Sequence, residues 1–265
     1  MTIFRDIIQN RRLIGKLAVN DFKKRYVGSL LGILWAFIQP LVTIVLYYAV
    51  FGLIMPDART SGSEVPFVLF LTAGMVPWFF FSEGLSSGTA ALTDYSYLVK
   101  KVVFQIDVLP VIKVAAAVFT HVFFLVLLLI LQCICGYPPT IYTVQVLYYS
   151  LCTMALVLSL VYFTSAVVVF FRDLGQLISV CLQVLVWATP IMWNLDRIHN
   201  GVIRKILLIN PLVYVVDGYR DAVFQHRWFF EKPFHTLYFW VATMVLMLIG
   251  TSVFKRLRGH FADVL

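Results

Sequence analysis

From Val114 to Phe171 the sequence runs for 58 residues without a single Asp, Glu, Lys or Arg. No soluble domain could hide so long a run, because a folded chain still presents much of its surface to water. A helix crosses a bilayer with about 20 mostly apolar residues, at about 1.5 Å rise each. The run is therefore long enough for two crossings. Gly136-Tyr137-Pro138-Pro139-Thr140 divides it, since tandem proline removes helical donors and clashes with the preceding turn. The prediction is a hairpin of spans over 110–135 and 141–171.

Four further runs read the same way. Leu30–Met55 is uncharged over 26 residues and Val65–Ser82 over 18, with apolar character persisting to Leu92; Leu174–Leu195 is uncharged over 22, and Phe234–Phe254 follows near the end. The expected fold is all-α: one polytopic membrane domain over 1–265, with spans at about 30–55, 65–92, 110–135, 141–171, 174–195 and 234–254. Composition agrees. The chain is 61% hydrophobic and 13% charged, against about 45–50% and about 25% in soluble domains. A water-soluble enzyme, a disordered chain and a collagen are excluded. The four cysteines all fall in spans and read as small hydrophobes. No signal peptide is expected, because the first apolar run begins at residue 30 and is too long.

Ile206–Val216 does not fit this scheme. Its 11 uncharged residues reach only about 16 Å, half a bilayer, so 196–232 is expected to be re-entrant or interfacial. An even number of spans puts both termini on one side. Lys and Arg number fourteen on that side and seven on the other, which by the positive-inside rule makes both termini cytoplasmic. Six of the seven lie in 196–232, offset there by four acids. The net charge of +8 is thus assigned to a membrane face, and no nucleic acid is implied.

Residues 2–25 are too polar to span. Ile3, Phe4, Ile7, Ile8, Ile14 and Leu17 recur at helical spacing among basic residues. That pattern makes an interface helix, serving as an anchor, as a platform for a cytoplasmic partner, or as both. No chemistry is visible. Gly15-Lys16 lacks the rest of a P-loop, there is no Gly-x-Ser-x-Gly or His-Glu-x-x-His, and the five histidines are scattered. The expectation is no catalytic residue, no metal and no cofactor held by this chain. Energy for any work must come from another protein.

Asn20-Asp21-Phe22-Lys23-Lys24-Arg25-Tyr26-Val27-Gly28-Ser29-Leu30-Leu31-Gly32-Ile33-Leu34-Trp35 leads into Gln39-Pro40. Phe171-Arg172-Asp173-Leu174 follows span four, and Asn210-Pro211-Leu212-Val213-Tyr214 with Asp217-Gly218-Tyr219-Arg220 precedes the last span. This order resembles the membrane subunit of type-2 ATP-binding-cassette exporters of polysaccharides and polyol phosphates, along the whole chain. The tail Phe261-Ala262-Asp263-Val264-Leu265 and the patch Trp228-Phe229-Phe230 look most like wall teichoic acid permeases; O-antigen and capsule permeases are the alternative. The resemblance implies a plasma-membrane homodimer carrying two copies of a separate ATPase, which would bind the ATP and Mg. It also implies a lipid-linked polymer as substrate, a cytoplasmic coupling helix between spans two and three, and short re-entrant helices on the outer side. A membrane-embedded transferase acting on lipid-linked sugars, or a secondary transporter, remains as a rival. The first would need ionisable residues gathered at one face, the second internal repeats or more intramembrane charge.

The residues nominated for these roles are as follows. Tyr47, Tyr48, Phe51 and Tyr162 are candidates for a sugar path, since aromatic planes carry C–H faces of sugars; many such rings serve equally as interface belts. Tyr97, Leu98, Lys100, Lys101 and Phe104, in the loop 93–108, combine apolar and basic character and are the expected ATPase contact, joined by Lys23, Lys24 and Arg25. Asn210, Pro211, Asp217 and Arg220 are expected at an outer gate, with Asp217 and Arg220 three apart on one helical face and able to pair. Glu83 is expected to snorkel and pair with a basic residue, Lys113 to anchor at the interface, and His121 to be packed. Pro40 and Pro190 are expected to kink or hinge their spans.

Overall fold

The computed structural model describes residues 7, 9–28, 30–54, 65–100, 105–195, 198 and 200–265, and every regular element among them is helical. Lys101 and Phe104 lie outside the described residues. An amphipathic helix, α1 (Arg11–Lys24), comes first. Span one is α2 (Trp35–Tyr47), which widens into π-helical turns over Tyr48–Ile54. Span two is α3 (Phe67–Thr89), followed by two short helices, α4 (Ala91–Asp94) and α5 (Ser96–Val99). The central hairpin is α6 (Leu109–Ile134) and α7 (Gln145–Val168). Then come α8 (Leu174–Ala188), the short helices α9 (Gly201–Leu208) and α10 (Pro211–Arg220), the long α11 (Pro233–Leu257) and a terminal turn, α12 (Phe261–Val264).

Among the described residues, five segments are long and apolar enough to cross a bilayer, against the six expected: Gly32–Ile54, Phe67–Thr89, Ile106–Ile134, Ile141–Val168 and Pro233–Val264. The expected span at 174–195 is shorter than its apolar run. α8 stops at Ala188, so Pro190 is not a hinge inside a helix. The residue before proline is pushed out of the helical region, and Thr189 is extended, at φ −88° and ψ 135°. Pro40, by contrast, sits inside a continuous α2.

α3 is the centre of the bundle, packed on α6, α7 and α10. Water does not drive helices together inside lipid, so close association depends on small residues that let backbones approach. Gly84 and Gly88, one turn apart on α3, face Val157 and Val161 of α7; a Cβ added at either would lie 2.9 or 2.5 Å from a valine methyl. Gly250 of α11 does the same against α7, where a Cβ would lie 2.5 Å from the Ser159 carbonyl oxygen. Span one lies at the periphery, with Ala36, Ile44 and Gly52 as its buried residues.

The apolar run 206–216 forms two helices, not one. Asn210 breaks it: its Oδ1 accepts the Leu212 N–H at 3.1 Å, and Pro211 takes the first helical position, where its missing N–H costs nothing. Asn200 caps α9 in the same manner, accepting from Val202 at 2.9 Å.

Candidate functional site

The two ends of the bundle gather the polar chemistry. At the end holding both termini, Ile14 of α1, Tyr95 and Val99 of α4–α5, and Phe254 and Phe261 near the C-terminus share one buried cluster. An ion network lies beside it. The Lys113 ammonium of α6 is 2.7 Å from Asp21 and 2.8 Å from Asp94. Arg25 binds Asp21 at 2.8 Å and Glu83 at 3.0 Å. The Tyr95 hydroxyl donates to Asp21 at 2.8 Å. α1, α3, α4 and α6 are thus tied together at a single carboxylate.

Asp21 is 5% exposed, and a charge so buried is tolerable only when paired and hydrogen-bonded. Burial alone would raise its carboxyl, but the Lys113 hydrogen bond, the charges of Lys113 and Arg25 and the Tyr95 hydroxyl outweigh burial and hold it below its ordinary value. Burial and the Asp21 carboxylate together push the Tyr95 hydroxyl well above its own.

Several expectations change here. Lys113 is not a snorkelling anchor: its side chain is 7% exposed and doubly paired. Arg25 turns inward and is occupied, so of the three basic residues nominated there only Lys23 and Lys24 are exposed. Glu83 pairs with a basic residue as expected. In the expected coupling loop, Tyr95 and Val99 face the core, whereas Tyr97 is 55% exposed, Lys100 is exposed and Leu98 is half-buried. Sequence reasoning missed Asp21, Asp94 and Tyr95. The available signal was an acid at seven and four residues from Ile14 and Leu17, on the apolar stripe of α1.

In mid-bundle, Tyr47 and Phe51 meet Trp187 of α8 at ring-centroid distances of 6.2 and 6.3 Å, and Tyr48 lies beside Gly52. All three nominated rings are half-buried, and Tyr47 and Phe51 also meet each other at 6.5 Å. Tyr162 is elsewhere: 2% exposed, edge-on to Phe254, its hydroxyl donating to the Asp107 carbonyl at 3.0 Å. Within the chain it is a packing residue. His121 is packed as expected, stacked on Phe80 and within 3.0 Å of the Ser150 hydroxyl.

At the opposite end, α9 and α10 frame a cavity of about 280 Å³. Arg220 is 2% exposed and acts as scaffold. Its guanidinium donates to the Ile191 carbonyl at 2.7 Å, satisfying backbone beyond the broken end of α8, and lies 3.6 Å over the Phe70 ring. The expected pair with Asp217 is present at 3.5 Å. Asn210 Nδ2 donates to the Thr189 hydroxyl at 3.0 Å, fastening α10 to that same end. The nominated gate residues therefore stand together.

The described residues form an apolar helical bundle with a charged junction at one end and a folded-in pair of short helices at the other, the architecture of a polytopic membrane protein. The chain belongs to the ABC-2 type transporter family, which matches residues 12–224. It is a permease subunit, not itself an enzyme. It is 31% identical over 262 residues, 98% of each chain, to the O-antigen export system permease protein RfbA of Myxococcus xanthus. A Klebsiella pneumoniae protein of the same name is 25% identical over 92% of each chain. The polysialic acid transport protein KpsM of Escherichia coli is 25% identical over 90% of this chain and 91% of that protein. By name these relatives export O-antigen or polysialic acid, and none of the three is a teichoic acid permease.

Proposed function

We propose that this chain is the membrane-spanning subunit of an ATP-driven exporter of a lipid-linked cell-surface polysaccharide of the O-antigen or capsule kind. Similarity over nearly the full length of an O-antigen permease carries the reading. The two features that suggested teichoic acid have local explanations: Phe261 is fully buried against Phe254, and Trp228 packs on Tyr142 and Phe230.

In this reading two copies form a plasma-membrane homodimer, both termini are cytoplasmic, and two separate ATPase subunits supply ATP and Mg. The ATPase docks at Tyr97, Leu98 and Lys100, with Lys101 and Phe104 next in the chain and Lys23 and Lys24 beside them. The Asp21 network passes motion from that surface into α3 and α6. Tyr47, Tyr48 and Phe51 offer ring faces to the sugar chain. Asn210, Pro211, Asp217 and Arg220 hold the far gate.

Deleting the chain tests this. Surface polysaccharide should disappear while lipid-linked polymer accumulates inside, and the tagged protein should co-purify with an ATPase. Unchanged surface polymer would refute the reading.

A further inference from the structure

The positive-inside rule makes basic residues scarce on the outer side, yet 196–232 holds six. The structure disperses their roles. Arg220 is buried as scaffold, whereas Arg204, Arg227 and Lys232 come from three separate elements to the wall of one cavity. Two carboxylates share that wall, Asp217 and Asp221. Each is already held, Asp217 by Arg220 and Asp221 by Lys232. Arg227 makes no salt bridge among the described residues, though its charge acts on nearby Asp221, and the wall carries three cations against two acids. Arg204 and Arg227 are both exposed, so their attraction for an anion weakens as salt rises.

The rest of the wall is not that of a simple ion trap. Tyr238 donates its hydroxyl to the Ile209 carbonyl at 2.6 Å, and the Tyr214 hydroxyl is tied to Thr236 at 3.1 Å. Tyr214 is buried with its ring stacked on Phe239 at 4.9 Å, whereas the Tyr238 ring is 41% exposed with its hydroxyl anchored, and such a plane suits the C–H face of a sugar. Asn194 and Gln225 place amides on the same wall. At about 280 Å³ the cavity sits at the small end of ligand sites, which begin near 300 Å³. That is room for one charged residue of a polymer, not a long segment.

We propose that this cavity binds an acidic sugar unit, one bearing a carboxylate or phosphate, with Arg227 on the oxyanion and the Tyr238 ring on the sugar. Its placement on the outer side, as a station for the emerging polymer, rests on the exporter reading above; binding itself does not. The test uses the purified full-length chain in nanodiscs of zwitterionic lipid, titrated calorimetrically with trigalacturonate, with neutral maltotriose and with inorganic phosphate. Trigalacturonate should bind at least tenfold more tightly than maltotriose and weaken as salt rises; phosphate should compete. Arg227→Gln should weaken the acid at least tenfold, and Arg227→Lys should keep most of it. Equal binding of acidic and neutral sugars, or an unaffected Arg227→Gln variant, overturns the site. Loss of trigalacturonate binding when phosphatidylglycerol is added to the discs would assign the oxyanion to a lipid headgroup and overturn the sugar as its source. No ATPase or export is involved, so failure here leaves the exporter reading untouched.

Discussion

The Lys113 ammonium lies 2.7 Å from the Asp21 carboxylate, 92 residues away in sequence, with both side chains at most 7% exposed. A pair so buried contributes little net stability when intact, but breaking it leaves an uncompensated charge, at a cost of about 3–5 kcal/mol. Lys113→Met should therefore lower the thermal midpoint of the purified chain sharply, by an amount near the bottom of that range because Arg25 still binds Asp21. Adding Asp21→Asn should restore part of the loss. Additive losses in the double variant would show that the two residues act separately.

The same carboxylate sets an acid limit. Its folded value lies below the ordinary one, so its contribution is complete above the unfolded value, about 4, and fades as pH falls through the lower folded value. Because Arg25 also pairs Glu83, the comparison is made in a Glu83→Gln background, where the midpoint difference between Asp21 and Asp21→Asn chains should be constant from pH 8 to pH 5 and shrink below about pH 4. A difference that changed near neutral pH would contradict this assignment.

Gly218 lies under the Tyr149 ring, where an added Cβ would fall 2.1 Å from a ring carbon. Tyr149 is 1% exposed and has nowhere to move. Gly218→Ala should cost about 2 kcal/mol by overpacking, read as a lowered thermal midpoint, and Tyr149→Leu in the same chain should recover part of it. If Gly218→Ala alone is silent, the helix approach is looser than the geometry requires.

Topology gives the fourth test. Asn200 and Gln225 are both exposed, on the segment that frames the cavity. Single cysteines at these sites, in a cysteine-free background, should react with an impermeant thiol reagent in intact cells. Reaction confined to lysed cells would place this end in the cytoplasm and reverse the orientation.

Much of the architecture was legible because a bilayer imposes a simple rule: uncharged runs of sufficient length must be helical and must cross. The hairpin break at Pro138-Pro139, the shortness of 206–216 and the amphipathic N-terminus all follow from spacing along the chain. So does the Asp217–Arg220 pair, whose partners are three residues apart. Partnerships across long separations were not legible. Lys113 with Asp21, Arg220 with Ile191, and Tyr162 with Asp107 each depend on which helix faces which, and an apolar helix in lipid carries no amphipathic stripe to reveal its neighbours. Tyr162 and Tyr47 look alike in sequence, both ring-bearing residues in apolar spans; only the packing of α7 against α11 buries one while α2 leaves the other beside Trp187 at the periphery. The sequence by itself determined that the chain is an all-helical membrane protein and where most of its long apolar helices lie, because that depends on local hydropathy and length; it counted six spans where five helices among the described residues are long enough to cross. The tertiary structure decided which charges are joints, which are scaffold and which face a cavity, because a charge acquires its role from the partners that burial forces upon it.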